Sequence, residues 1–163
     1  MLHFGAKPPF PFERLLEMCA GMIPDRDLKS LQSCGGGFSA GMTAAQPTLK
    51  AWILFETGLR NELVKIRAGR KKIDPDKYLR HVGYSAQDLY HIAMNSHRIP
   101  SFVDAEKFLD QQRWLVYDEF CLGHYFDIDA LIVYALKLCI LLRWETVEQT
   151  DKQQVLERTL AVG

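Results

Sequence analysis

Histidines and cysteines are the residue types with which this 163-residue sequence could bind a metal ion. His91 and His97 are six residues apart, a spacing that places them on different sides of a helix. Cys121 and His124 form a C-x-x-H pair that could hold one side of a zinc ion, but the sequence shows no second pair to complete four ligands. The sequence therefore predicts no metal site, and histidines that pack at the surface or in the core.

Nucleophilic and acid–base chemistry has equally few candidates. Cys34 precedes three glycines, where a thiol could be exposed, but no neighbour in sequence would activate it. Asp127 and Asp129 stand at a predicted helix start, where capping and the helix dipole explain both carboxylates. The glycine run 35–37 lacks the Gly-Lys-Ser/Thr ending of a phosphate loop, and no G-x-S-x-G, H-E-x-x-H or dinucleotide-binding motif occurs. We therefore expect a non-enzyme with no catalytic residue, no cofactor and no small-molecule substrate.

Charge is more informative than catalytic motifs. Twenty Lys and Arg balance twenty Asp and Glu, which argues against a nucleic-acid-binding surface, since that normally needs a basic excess. Although the net charge is zero, the charges are distributed unevenly along the sequence. Residues 60–80 hold eight basic and three acidic residues, a net of +5, whereas residues 104–129 hold seven acidic and two basic residues, a net of −5.

Two interpretations of this asymmetry stay open at the level of sequence. The segments either dock onto partner proteins of opposite charge, or face each other within the fold. Under the first interpretation, the predicted partner-binding residues are Arg60, Lys65, Arg67, Arg70, Lys71 and Lys72.

The elements that must position these residues are helices. Apolar residues recur at three and four positions over most of the chain, and no strand-like alternation competes with them. The pattern predicts an all-α, multi-helix bundle of antiparallel hairpins with about seven helices. Helical segments are expected at 12–23, 25–34, 47–66, 74–81, 86–96, 101–122, 128–144 and 149–160. A single domain over 1–163 is predicted, with an irregular start at 1–11 and a flexible Gly-rich break at 34–43.

Location follows from cysteine spacing and hydropathy. The four cysteines are widely spaced and no secretory signal precedes them, which predicts a reducing cytoplasm. The most apolar stretch, 131–142, is interrupted by Lys137 and is shorter than the roughly 20 residues that span a bilayer. We expect a buried helix there and no membrane span.

Three stretches carry a family resemblance: MLHFGAKPPFPFERLLEMC, ETGLRNELVKIRAGR and HYFDIDALIVYALKLCILLRW. Together they resemble an uncharacterised bacterial family, a domain of unknown function encoded in V/A-type ATP synthase operons. In those operons it takes the place of the central-stalk C subunit, called d in eukaryotes. The resemblance covers nearly the whole chain. Family members begin with a further aromatic-rich segment, so the native chain is expected to start before Met1.

The resemblance implies a role and no catalytic mechanism. The C/d subunit is an all-α socket that couples the rotor shaft to the membrane ring of proteolipid subunits. The expected function is a non-catalytic coupling or assembly subunit, cytoplasmic and peripheral to the inner membrane through that complex. Its expected partners are the rotor shaft, the proteolipid ring or both, although the chain has about half the length expected of a three-subdomain socket. An adaptor or regulator unrelated to the ATPase is the alternative, and an enzyme with a site hidden from sequence is a third.

Overall fold

Helices make up the regular structure throughout the part of the chain that the computed structural model describes, residues 2–39, 42–80 and 87–161. Those residues form six α-helices and one 3-10 turn and contain no strand, which confirms the all-α prediction. The helices are α1 (Phe12–Cys19), α2 (Asp25–Gly35), α3 (Pro47–Lys71), α4 (Gln87–Arg98), α5 (Phe102–Phe120) and α6 (Ile128–Ala161), with the 3-10 turn at Asp76–Tyr78.

Local capping explains where the central helices begin. Pro47 occupies the first turn of α3, where its missing N–H costs no hydrogen bond, and the Gln46 side chain accepts one from the Leu49 backbone N–H at 2.7 Å. Ser101 precedes α5 and its hydroxyl accepts a hydrogen bond from the Asp104 N–H at 3.2 Å. Ser85, the cap predicted for α4, lies outside the described residues.

The C-terminal helix is longer than the sequence pattern predicted. The two segments expected at 128–144 and 149–160 are one continuous helix, α6, of 34 residues. Residues 145–148 contain neither glycine nor proline, and the hydroxyl of Thr146 donates back to the Leu142 carbonyl within the helix. Nothing in that short polar stretch breaks the helical hydrogen bonds. Despite this length, none of the described helices has the long apolar run that crossing a bilayer requires.

The chain divides into two compact units. The first comprises residues 1–37 and 126–163, where α1 and α2 pack on α6. Its core includes Leu31 and Ile132, neither of which has solvent exposure. Gly35 is required by packing, because a Cβ at this position would overlap the ring of Phe12.

The second unit comprises residues 38–125 and contains α3, α4 and α5. Its core is built from one buried face of each helix: Phe55, Leu59, Leu89, Ala93 and Leu109. Contacts of Trp52 with Tyr117 and of Glu56 with Arg113 show that α3 and α5 run antiparallel. The three-residue link between α4 and α5 forms a tight hairpin, so α3 and α4 run in the same direction. The segment that follows α3 returns alongside this helix, where the Asn61 side-chain amide binds the backbone N–H and carbonyl of Arg80.

Candidate functional site

The C-terminal half of α3 carries the predicted partner-binding residues. Arg60, Arg67 and Lys71 are all exposed. At 100° per residue they fall within about 40° of one another around the helix axis, and Arg70 lies next to them. We call Arg60, Arg67 and Lys71 the basic stripe. It is a row of three cations on one face of a single rigid element.

The other two predicted residues are placed differently. Lys65 lies on the far side of α3 from the basic stripe, and its ammonium donates to the Glu62 carboxylate at 2.7 Å. Lys72 follows the last helical residue in the left-handed conformation, with φ of 53°. There it ends the helix, and the next N–H, that of Ile73, bonds back to the Ala68 carbonyl. The structure therefore brings together Arg60, Arg67, Arg70 and Lys71, and separates Lys65 from them.

The charged segments do not neutralise each other within the described fold. No basic side chain of residues 60–80 forms an ion pair with a described carboxylate of residues 104–129. Asp110 pairs instead with Arg113, one turn along the same helix, at 2.9 Å. The three cations of the basic stripe have no hydrogen-bond or ion-pair partner among the described residues, so their charge faces solvent.

A cavity of about 440 Å³ lies beside the basic stripe, within the second unit. Four residues of α3 line one wall at the spacing of a single helix face: Leu63, Ile66, Arg67 and Arg70. The opposite wall repeats the same spacing on α5 with Phe102, Ala105, Glu106 and Leu109. The end of α4 and its link to α5 complete the cavity. The lining combines apolar side chains with polar ones, and includes the charged groups of Arg67, Arg70 and Glu106.

One polar contact orders the edge of this cavity. The Arg70 guanidinium NH1 lies 3.4 Å from Nε2 of His97 at the end of α4. A guanidinium only donates, so Nε2 of His97 is the acceptor in this contact. Arg70 is thereby tied to α4, whereas Arg67 has no polar partner among the described residues.

A second cluster of charged groups lies in the buried half of the same unit. The Arg113 Nε donates to both carboxylate oxygens of Glu56, at 2.9 and 3.2 Å, and Arg113 NH1 donates to Asp110. The Tyr117 hydroxyl donates to Glu56 at 3.2 Å and accepts from the Trp52 indole N–H at 3.1 Å. Asp110 has no solvent exposure and Glu56 has 6%. We call these five residues the buried network.

Two side chains of the buried network, Arg113 and Tyr117, have pKa values above their ordinary ones. Burial by itself would lower the pKa of Arg113, but the charge and hydrogen bonds of Glu56, followed by the charge of Asp110, raise it above its ordinary value. Burial, and then the Glu56 carboxylate, raise the pKa of Tyr117 well above its ordinary range. Both side chains therefore keep their protons at neutral pH. Neither Arg113 nor Tyr117 is therefore a candidate general acid or base at that pH.

The two cysteines considered as candidates from the sequence lie in different surroundings. Cys34 has only 1% exposure, and burial raises its pKa to about 12, so it is not an exposed nucleophile. Sγ of Cys121 lies 3.4 Å from the backbone carbonyl oxygen of His124, as expected for a thiol that donates a weak hydrogen bond within a turn.

Sequence reasoning missed the buried network and the cavity. Glu56 gave a signal, because it interrupts an apolar face of α3 between Trp52 and Leu59 and so needed a buried partner. That partner lies 57 positions away on another helix, which no local pattern reveals. The cavity depends on the packing of three helices and had no signal of its own.

Comparison with known proteins finds a family that is similar to part of this chain. No curated protein and no solved structure matches the sequence. The profile of one family does match residues 84–160, which span α4, α5 and α6, whereas the basic stripe on α3 lies before the match. The expected resemblance to an uncharacterised family is thus confirmed over that range. The family that matches residues 84–160 is described as protein of unknown function (DUF2764).

Proposed function

We propose that this chain is a non-catalytic interaction protein that associates with a V/A-type ATP synthase in a central-stalk C/d-like coupling or assembly role. The observation that carries the proposal is the basic stripe. Three exposed cations lie on one face of α3 without a described carboxylate partner, next to a cavity lined by both apolar and charged side chains. Such a surface fits a protein partner of acidic character.

The physical reason is electrostatic complementarity. Cations held in a row on one helix repel one another, and an acidic partner surface removes that repulsion while it steers the encounter. The row is rigid, because the twelve residues from Arg60 to Lys71 span about 16 Å of continuous helix. Docking therefore requires no reordering of this backbone, which keeps the entropic cost of association low.

The identity of the partner rests on the resemblance in sequence. The stretch ETGLRNELVKIRAGR, which contains Arg60 and Arg67, is one of the three that resemble the family encoded in V/A-type ATP synthase operons. A C/d-like part would contact the rotor shaft, the proteolipid ring or both, at the cytoplasmic face of the inner membrane.

A pull-down from native membranes tests this proposal. The tagged full chain is expressed in its own host, the membranes are solubilised in mild detergent at physiological salt, and the eluate is identified by mass spectrometry. We expect the catalytic A and B subunits and the proteolipid to co-elute at about one copy of this chain per complex. The Arg67→Glu, Arg70→Glu, Lys71→Glu variant should lose them and keep its helical circular dichroism.

A matched charge-reversal variant supplies the control. Lys7→Glu, Lys29→Glu, Lys50→Glu makes the same change in charge at exposed positions that are not part of the basic stripe and should co-purify like the wild type. Equal loss in both variants would show that net charge and not the stripe governs binding. An eluate that contains other proteins but no ATPase subunit would favour the adaptor alternative.

A further inference from the structure

The cavity beside the basic stripe has the composition of a ligand site. Its volume of about 440 Å³ lies within the range of about 300–1,000 Å³ that is typical of small-molecule pockets. Apolar side chains from α3, from α5 and from the α4–α5 link line the cavity, among them Leu63, Ile66, Ile99 and Leu109. A ligand there would bury an apolar body, since a bare inorganic ion would leave most of the lining without a partner.

The charged lining residues define the head group of such a ligand. Arg67 and Arg70 contribute two positive charges and Glu106 one negative charge, which leaves a net of +1. A single negative charge neutralises this lining, whereas a dianion would leave one uncompensated negative charge in a partly desolvated cavity.

The two arginines also supply unused donors. Each guanidinium carries five N–H donors, and of these ten only one, to His97, is used within the part of the chain that is described. Arg67 and Arg70 are three residues apart on one helix, so their guanidinium groups can reach the same small anion. A planar carboxylate accepts from such forks with good geometry.

We propose that this cavity binds a small organic monoanion with an apolar body and one carboxylate head group, of the medium-chain fatty acid type. The apolar body lies against Leu63, Ile66 and Leu109, and the carboxylate accepts hydrogen bonds from Arg67 and Arg70. Glu106 sets the selectivity for one negative charge. No bond is made or broken, and the cavity is a binding site.

Calorimetric titration of the purified, delipidated full chain tests the assignment, with decyl compounds kept below their micelle-forming concentrations. We expect decanoate to bind with a stoichiometry of one. Decyl phosphate, decanol and decyltrimethylammonium should each bind at least about tenfold more weakly, because each lacks either the right charge or the acceptor oxygens. Because the purified chain is used alone, the result is independent of whether the chain joins the ATP synthase.

Two variants and a control localise the site. Arg67→Gln, Arg70→Gln should weaken decanoate binding by at least about tenfold, since both charged donors are lost. Ala105→Trp should also weaken it by filling the cavity, and the glutamine variant keeps the test intact if the tryptophan variant misfolds. Arg60→Gln, Lys71→Gln removes the same charge outside the lining and should bind like the wild type.

Three outcomes would overturn the proposal. Equal binding of all four decyl compounds would indicate apolar adsorption without a carboxylate site. Equal loss in the glutamine variant and its control would indicate diffuse electrostatics. Absence of decanoate binding, with binding restricted to an acidic partner protein in the pull-down, would show that the cavity belongs to a protein interface.

Discussion

The two halves of α3 place charged side chains in different environments. In the first half, the carboxylate of Glu56 is buried and bonded to Arg113 and Tyr117. In the second half, Arg60, Arg67 and Lys71 are exposed and have no ion-pair partner among the described residues. One continuous helix therefore carries a buried charge whose ion pair stabilises the fold. It also carries exposed charges that form no ion pair with the described residues.

The difference separates residues that maintain structure from residues that are free for recognition. Removing a partner from a buried ion pair leaves an uncompensated charge out of water, which is far more costly than losing an exposed charge. Charges that contribute little to stability are the ones a protein can place for function. Measured stabilities should follow this division along α3.

The largest effect is expected from Arg113→Met. This variant strands the Glu56 and Asp110 carboxylates in the buried network without their guanidinium partner. We expect the free energy of unfolding to fall by about 3–5 kcal/mol, measured by urea denaturation.

The exposed half of α3 provides the matched comparison. Arg67→Met makes the same change of side chain at an exposed position and should alter the free energy of unfolding by less than about 0.5 kcal/mol. A loss below about 1 kcal/mol for Arg113→Met would contradict the structural role given to the buried network.

An intermediate effect is expected from Tyr117→Phe. The change removes the acceptor of the Trp52 indole N–H and one donor to Glu56, and leaves the ring volume almost unchanged. We expect a loss of about 1–3 kcal/mol in urea denaturation, the cost of leaving a buried polar group unpaired. Tyr78→Phe, at an exposed position, should be close to neutral.

The difference in free energy of unfolding between the wild type and Tyr117→Phe should become smaller at alkaline pH. Burial and the Glu56 charge raise the pKa of Tyr117 in the folded state, whereas an unfolded tyrosine titrates near pH 10. The stability that comes from this shift is fully present below about pH 10. It is lost as the pH rises toward the folded pKa, by about 1 kcal/mol per pH unit. Urea curves at pH 9 and 11 measure this, and a constant gap would contradict the shift.

The smallest effect is expected in the basic stripe. Arg60→Gln, Arg67→Gln, Lys71→Gln removes like charges, of which Arg67 and Lys71 are four residues apart on the helix. We expect the free energy of unfolding to rise by about 0.3 kcal/mol at low salt and to show no change at high salt. A loss above about 1 kcal/mol would show that the stripe is part of the folding core.

Much of the fold followed from local patterns, because helix periodicity, Pro47 and Ser101 are signals written in adjacent residues. The grouping of Arg60, Arg67 and Lys71 could likewise be predicted once α3 was recognised as one helix. The length of α6 could not, since the polar residues 145–148 interrupt the apolar pattern without interrupting the backbone.

Only one part of the candidate site, its cations, could be predicted from the sequence. The cations of its rim are local to α3, but the cavity needs side chains from α3, α4 and α5 together. The pairing of Glu56 with Arg113 depends in the same way on the antiparallel packing of α3 and α5. Long-range packing is information that periodicity in a single helix does not contain.

The division of the chain into units has a consequence for its synthesis. The first unit needs α1 and α2 from one end of the sequence and α6 from the other, and residues 38–125 of the second unit come between them. At about 5–20 residues per second, a ribosome takes roughly 5–20 s to make that intervening segment. During this time the apolar faces of α1 and α2 cannot pack, because α6 has not yet been made. We therefore expect the nascent chain to depend on chaperones at its N-terminal helices, and the second unit to fold first.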